Sequence, residues 1–128
     1  MGNGTSIGKV RGLGSAQEGA HHWLVQRFTA ISNLVLMSWL LISFLMLTDL
    51  SYSTVSGWIA QPIPATAMIL LIVSLFWHAR MGLQVLIEDY VHDGGSKFAA
   101  LTALNIAVIG GGAFAIFSVA RLALGVSA

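Results

Sequence analysis

Residues 67–92 read AMILLIVSLFWHARMGLQVLIEDYVH, and this stretch decides the fold. Its first part is an apolar run that is typical of a helix inside a lipid bilayer. Each residue of a helix turns by about 100°, so His78 and Asp89 return to nearly the same face, roughly 16 Å apart along the axis. Gly82, one turn after His78, leaves space on that face. The stretch therefore predicts a membrane-spanning helix with a histidine near mid-bilayer and an acid and a phenol near its end.

The composition indicates a membrane protein without a sizeable soluble domain. Of the 128 residues, 56% are hydrophobic and 9% are charged, whereas soluble domains usually carry about 25% charged residues. Charge-poor runs at about residues 28–48, 63–90 and 98–120 are each long enough to cross a bilayer. We therefore predict an all-α membrane protein in which three transmembrane helices form one anchor domain over residues 21–128 and pack with the helices of a companion anchor.

The segments outside these spans are short. Residues 1–20 are rich in glycine and serine, and we expect a flexible tail there. Residues 49–61 indicate a loop, and residues 93–96 (DGGS) indicate a turn in which glycine ends the preceding helix. Lysine and arginine lie mainly before the first span and in the second connection. The positive-inside rule therefore puts the N-terminus and the Asp89 end in the cytoplasm or the mitochondrial matrix, and three spans put the C-terminus on the opposite side.

Cysteine content and net charge exclude several kinds of site. The chain has no cysteine and a formal net charge of +1. It therefore forms no disulfide and ligates no iron–sulfur cluster through cysteine. The nearly neutral balance favours neither a nucleic acid nor an acidic partner.

His78 is the strongest candidate for a functional residue. Ionisable side chains are costly at this depth and tend to face a cavity, a partner or a cofactor. Neutral imidazole is a common axial ligand of haem iron, but an interhelical hydrogen bond explains the residue equally well. The remaining histidines lie at or outside the membrane interface, so a six-coordinate haem would need its second ligand from another chain.

Four further ionisable or polar residues have two interpretations each. Arg80 points about 160° away from His78; we expect it to snorkel or to pair with a neighbouring helix, with a haem propionate as the alternative. Arg27 suits an interfacial anchor, or a partner for a carboxylate of a haem edge or a quinone site. Asp89 and Tyr90 suit interfacial anchoring too, although the phenol could donate a hydrogen bond to a quinone carbonyl while the acid tunes it or relays protons.

The third span has a face of small residues. It contains Gly110-Gly111-Gly112 and four alanines in the preceding turns. Small side chains let helices approach closely in lipid. We therefore predict close packing of this face against another helix, of this chain or of a partner.

The run from His78 to Gly82, followed by Asp89-Tyr90-Val91-His92, resembles the smaller hydrophobic membrane anchor of succinate dehydrogenase (respiratory complex II), in its alphaproteobacterial and mitochondrial branch. Members of that family share a histidine, a glycine four residues later, and Asp-Tyr eleven and twelve residues later on the second of three spans, as in this chain. Residues 27–30 (RFTA) resemble the basic start of the family's first helix. The resemblance covers about residues 21–125.

The resemblance implies a role for each candidate. His78 would be an axial ligand of haem b, with the second ligand from the companion anchor of the same complex. Tyr90 would hydrogen-bond a ubiquinone carbonyl beside Asp89, and Arg27 would lie near the haem propionates and the quinone pocket. A flavoprotein would oxidise succinate and an iron–sulfur protein would pass electrons to ubiquinone, in a bacterial or mitochondrial inner membrane. This chain would catalyse nothing alone.

Other classes of protein fit the same residues. A small transporter or channel accessory protein without haem would use Asp89, Glu88 and Arg80 as an ion or proton path and His78 as a switch. A purely structural anchor would use His78 only for a hydrogen bond between helices. A fumarate reductase anchor also fits, because such anchors can serve either direction of the reaction.

Overall fold

The computed structural model describes residues 16–125, with side chains from residue 19 onward, and these residues form four helices. The helices are α1 (Ala16–Met46), α2 (Tyr52–Ile59), α3 (Pro62–Tyr90) and α4 (Gly94–Ala123). Helices α1, α3 and α4 are long and apolar enough to cross a membrane. This confirms the prediction of an all-α membrane protein with three spans.

The first helix begins well before the run without charges. Helix α1 starts at Ala16 and contains 31 residues, so it is about 46 Å long and exceeds a hydrocarbon core of about 30 Å. Its start lies inside the predicted tail, and the rest of that tail, residues 1–15, lies outside the described residues. The charge-free run measures the thickness of the membrane and not the length of the helix, which explains the difference.

The prediction of a loop over residues 49–61 is wrong, because this segment contains α2. The Ser51 side chain caps α2 by accepting a hydrogen bond from the Thr54 amide. On α2, Trp58 stacks on Trp39 of α1, with ring centroids 5.5 Å apart. Ahead of the helix, hydrogen bonds from the Ser51 hydroxyl and amide hold the pKa of Asp49 below its usual value. Helix α2 therefore covers one end of the bundle.

The two glycines after α3 begin a helix, which corrects the prediction that glycine ends one here. Helix α3 stops at Tyr90, and Asp93 is the N-cap of α4. The Asp93 carboxylate accepts a hydrogen bond from the Ser96 amide at 2.8 Å, and this bond lowers the pKa of Asp93. The carboxylate cap satisfies amides that the start of a helix leaves unpaired, so it sets the start of α4 in spite of the glycines.

Helix α3 is the central span. Helices α1 and α4 pack against it, and within residues 16–125 no close backbone packing joins α1 directly to α4. On the α4 side, a Cβ built on Gly111 would lie 3.0 Å from the Phe76 ring, and one on Gly112 would lie 3.7 Å away. The small-residue face is thus confirmed as a packing face, and its partner is a helix of the same chain.

Most large apolar side chains of the described residues point outward. Phe28, Leu45, Ile109 and Phe114 are each more than 70% exposed. Only a small cluster of Ile59, Ala65 and Val119 is buried where α2, α3 and α4 meet. Apolar surface of this extent needs lipid or the helices of other proteins to cover it.

Candidate functional site

His78 faces α1 and makes a hydrogen bond with it. Its Nδ1 lies 3.0 Å from the Thr29 Oγ1. Thr29 is 7% exposed, and it is the only buried polar or charged residue within residues 19–125. The interhelical hydrogen bond that the sequence left open is therefore present, and it uses only one of the two ring nitrogens.

The bond belongs to a polar strip between α1 and α3. The Ser74 hydroxyl, one turn before His78, donates to the Thr29 carbonyl at 3.3 Å. Gln26 and Asn33 flank Thr29 on the same face of α1, and their amide oxygens are buried without a hydrogen-bond partner in the described part of the chain. We call these residues the polar strip: Gln26, Thr29, Asn33, Ser74 and His78.

Gly82 lies beside this strip. A Cβ built there would meet only the Gln26 Nε2, at 3.8 Å. The space predicted next to His78 therefore exists, and the Gln26 amide borders it.

Arg80 points toward α4, away from His78 as predicted. Its Nε donates to the Asn105 Oδ1 at 2.7 Å, and its guanidinium lies 5.6 Å from the centre of the Trp77 ring. Of the interpretations open from the sequence, the structure thus contains pairing with a neighbouring helix. Arg80 also lines a cavity of about 420 Å³ between α1 and α3, which is lined by His21, His22, Val25, Trp77, Arg80, Met81 and Gln84.

Arg27 lies at the same end of α1 as this cavity but is not one of its lining residues. Its side chain is exposed, and its guanidinium lies 5.4 Å from the centre of the Trp23 ring. Trp23 is itself 57% exposed. The pair has the form of an interfacial anchor.

Asp89 and Tyr90 are the last residues of α3, and both are exposed. The Tyr90 side chain is 77% exposed. Tyr90 follows His78 by about 18 Å along the axis at the usual rise of a helix. The structure therefore separates the histidine from the acid and the phenol: one lies between two helices, the others at a helix end.

Residues 19–125 contain no group of three or more histidine, aspartate or glutamate side chains that could hold a metal ion. Axial ligation of haem needs a single side chain from each of two positions. The role of His78 toward haem iron thus stays a prediction.

The sequence interpretation missed the partners of its own candidates. It assigned no contact with His78 or Arg80 to Thr29, Ser74 or Asn105. A signal was available on α1: Gln26, Thr29 and Asn33 are spaced by three and four residues, so they share one helix face within an apolar segment. Such a face predicts a polar contact with another span.

Together, these features define an integral membrane protein whose central span holds a histidine against a neighbouring span. Residues 1–117 match the model of a family described as succinate dehydrogenase/fumarate reductase transmembrane subunit. The chain belongs to this family.

Individual relatives agree with this assignment. The chain is similar to the succinate dehydrogenase hydrophobic membrane anchor subunit of Rickettsia bellii, with 35% identity over 85 residues (66% of this chain, 68% of the relative). It is similar to the protein of the same description from Paracoccus denitrificans, with 31% identity over 118 residues (91% and 89%). The membrane anchor subunit of Reclinomonas americana is 29% identical over 96 residues (73% and 80%). The resemblance drawn from the sequence is confirmed: this is a multi-pass membrane anchor that works in a complex with other proteins.

Proposed function

We propose that this chain anchors succinate dehydrogenase in the membrane, supplies His78 as an axial ligand of haem b, and contributes Tyr90 to the ubiquinone site. Its partners would be a companion membrane anchor that gives the second haem ligand, an iron–sulfur protein and a flavoprotein. The relatives are named for succinate dehydrogenase, which supports this direction over fumarate reduction. The observation that carries the proposal is the histidine in the central span, held through Nδ1 alone.

The residues around His78 fit an axial ligand. A ligating histidine commonly binds the metal through one nitrogen while a second group holds the other, which fixes the orientation of the ring. Thr29 is such a second group, and Nε2 forms no hydrogen bond within residues 19–125. His78 is half-buried, so its ring can meet a group that lies between this chain and a partner. Haem b, when bound, would supply one-electron redox chemistry.

The cavity at the N-terminal end of α1 supports a site for carboxylate groups. Arg80, His21 and His22 bring a cation and ring nitrogens to its walls. Such groups suit a haem propionate. Arg27 lies at the same end of α1 and remains the candidate named from the resemblance.

The end of α3 supports a quinone site. The exposed Tyr90 phenol can donate a hydrogen bond to a quinone carbonyl, and Asp89 beside it can hand on protons from the aqueous side. We place this end and the N-terminus on the cytoplasmic or matrix side of a bacterial or mitochondrial inner membrane, on the distribution of lysine and arginine. Protons for quinone reduction would then come from that side.

A reduced-minus-oxidised visible spectrum of the purified complex, together with its quinone reductase activity, tests both roles in matched variants. We expect a b-type haem signal in the wild type that is lost or shifted in His78→Leu. Tyr90→Phe keeps the ring but not the hydroxyl, so it should retain the spectrum and lower succinate-driven ubiquinone reduction by about tenfold, the effect of one hydrogen bond.

The outcomes separate the two roles. A complete, active complex without haem would remove the ligand role of His78 and leave that of Tyr90. Unchanged ubiquinone reduction in Tyr90→Phe would remove the quinone role. Haem-free protein without flavin or iron–sulfur partners would favour the transporter interpretation.

A further inference from the structure

The proton positions around Thr29 follow from the atoms that surround its hydroxyl. The Thr29 Oγ1 lies 2.9 Å from the Val25 carbonyl oxygen and 3.1 Å from the Gln26 carbonyl oxygen. Both carbonyls can only accept a hydrogen bond, and a hydroxyl has a single proton to donate. That proton therefore points back to the carbonyls of α1, because otherwise two close oxygen–oxygen contacts would have no proton between them.

The direction of this bond decides the tautomer of His78. With its proton directed to α1, the Thr29 hydroxyl faces the imidazole with a lone pair. The His78 Nδ1, at 3.0 Å, must then be the donor. A neutral imidazole protonated at Nδ1 carries its lone pair on Nε2.

We propose that Thr29 is a positioning residue that holds His78 as the Nδ1–H tautomer, with its Nε2 lone pair free for haem iron. The inference rests on the function proposed above, because it gives His78 the role of an axial ligand. Nothing in the family description or the names of the relatives assigns a role to Thr29.

Thr29 is itself well fixed. Its side chain is 7% exposed, so water competes little for its hydroxyl. Its carbonyl receives the Ser74 hydroxyl at 3.3 Å, one turn along α3 from His78. The two helices are thus joined twice at this point: once through the imidazole, and once through a serine that does not touch the imidazole.

Ser74 provides a matched control. Ser74→Ala removes a hydrogen bond between α1 and α3 and leaves the His78–Thr29 bond in place. Thr29→Val removes the hydroxyl at nearly constant volume, and Thr29→Ser keeps it. A role in helix packing predicts similar effects of Ser74→Ala and Thr29→Val, whereas a positioning role predicts that only Thr29→Val acts on the haem.

The test is the midpoint potential and the electron paramagnetic resonance spectrum of haem b in the purified complex. A hydrogen bond donated from Nδ1 makes the imidazole a more basic ligand, which favours ferric over ferrous iron. Thr29→Val should therefore raise the potential. A tenfold change in the ratio of ferric to ferrous binding constants equals about 59 mV for one electron, and we expect a rise of up to this size with altered ferric resonances. Thr29→Ser and Ser74→Ala should remain close to the wild type.

Three results would overturn the inference. One is a Thr29→Val complex with wild-type potential and resonances, while His78→Leu has lost the haem signal; the ligand role of His78 then stands and Thr29 is irrelevant to it. Another is an equal shift in Ser74→Ala, which would indicate packing. If Thr29→Val does not assemble, Thr29→Ala is measured in its place, and failure of both with assembly of Thr29→Ser would make Thr29 purely structural. A wild-type complex without haem is a different result, because it contradicts the proposed function itself.

Discussion

The two sides of α3 are built by different rules. Toward α4, glycines lie against the Phe76 ring, and one polar pair, Arg80 with Asn105, joins the helices. Toward α1, the polar strip places a histidine, hydroxyls and amides within the span. Buried polar groups are costly in an apolar medium, and close packing does not require them. The α4 side is therefore suited to holding the spans together, and the α1 side to placing a functional group.

The largest predicted effect is on the packing side. Gly111→Val should destabilise the complex by about 1–3 kcal/mol, the usual cost of overpacking, because a Cβ there would already lie 3.0 Å from the Phe76 ring. Gly110→Val is the matched control, since a Cβ at Gly110 has nothing within 4 Å in the described residues. The measurement is the thermal unfolding midpoint of the purified complex.

Equal midpoints for the two valine variants would contradict this prediction. They would show that α4 can shift away from Phe76 at little cost. A lower midpoint for Gly110→Val than for Gly111→Val would indicate that another protein of the complex packs on the Gly110 face.

The packing side was also the part of the structure that the sequence predicted best. Three glycines in a row within a span have one physical use, which is close approach, and this use depends on few other features. Helix ends were predicted less well. The glycines at 94 and 95 suggested a stop, but the Asp93 cap decided the outcome. Residues 49–61 look irregular, yet Ser51 caps α2 and Trp58 finds its partner in Trp39, far away in the sequence.

For the candidate site, the sequence predicted His78 and Arg80 but not what they contact. Depth in the membrane alone makes an ionisable residue conspicuous. The contacts depend on how the helices are rotated, and an isolated helix pattern does not give that rotation. Thr29 contacts His78 across a separation of 49 residues, and Asn105 contacts Arg80 across 25. These pairs exist only once α1 and α4 are placed against α3.

A smaller effect is predicted for the polar pair on the packing side. Asn105→Leu leaves the Arg80 Nε without the acceptor that it has at 2.7 Å. We expect a loss of about 1–2 kcal/mol, in the range for a hydrogen bond to a charged group. The double variant Arg80→Met/Asn105→Leu removes the charge as well, so it should recover part of the loss.

Thermal unfolding of both single variants and the double variant forms a double-mutant cycle. If the two single effects simply add, the pair contributes no coupling and Arg80 is stabilised by something else. The Trp77 ring, 5.6 Å from the guanidinium, would then be the first residue to test.

The smallest effect is predicted on the α1 side, where Asn33→Leu should change the unfolding midpoint little or raise it. The Asn33 Oδ1 is buried without a hydrogen-bond partner in the described residues, so its removal breaks no bond within them. Replacing an unsatisfied polar group by an apolar one of similar size is nearly neutral or stabilising. A clear fall in the midpoint, by more than about 1 kcal/mol in stability, would contradict this and show that Asn33 accepts a hydrogen bond from another protein of the complex. The polar strip would then extend beyond this chain, and the difference between the two sides of α3 would be a difference between contacts within one protein and contacts shared with another.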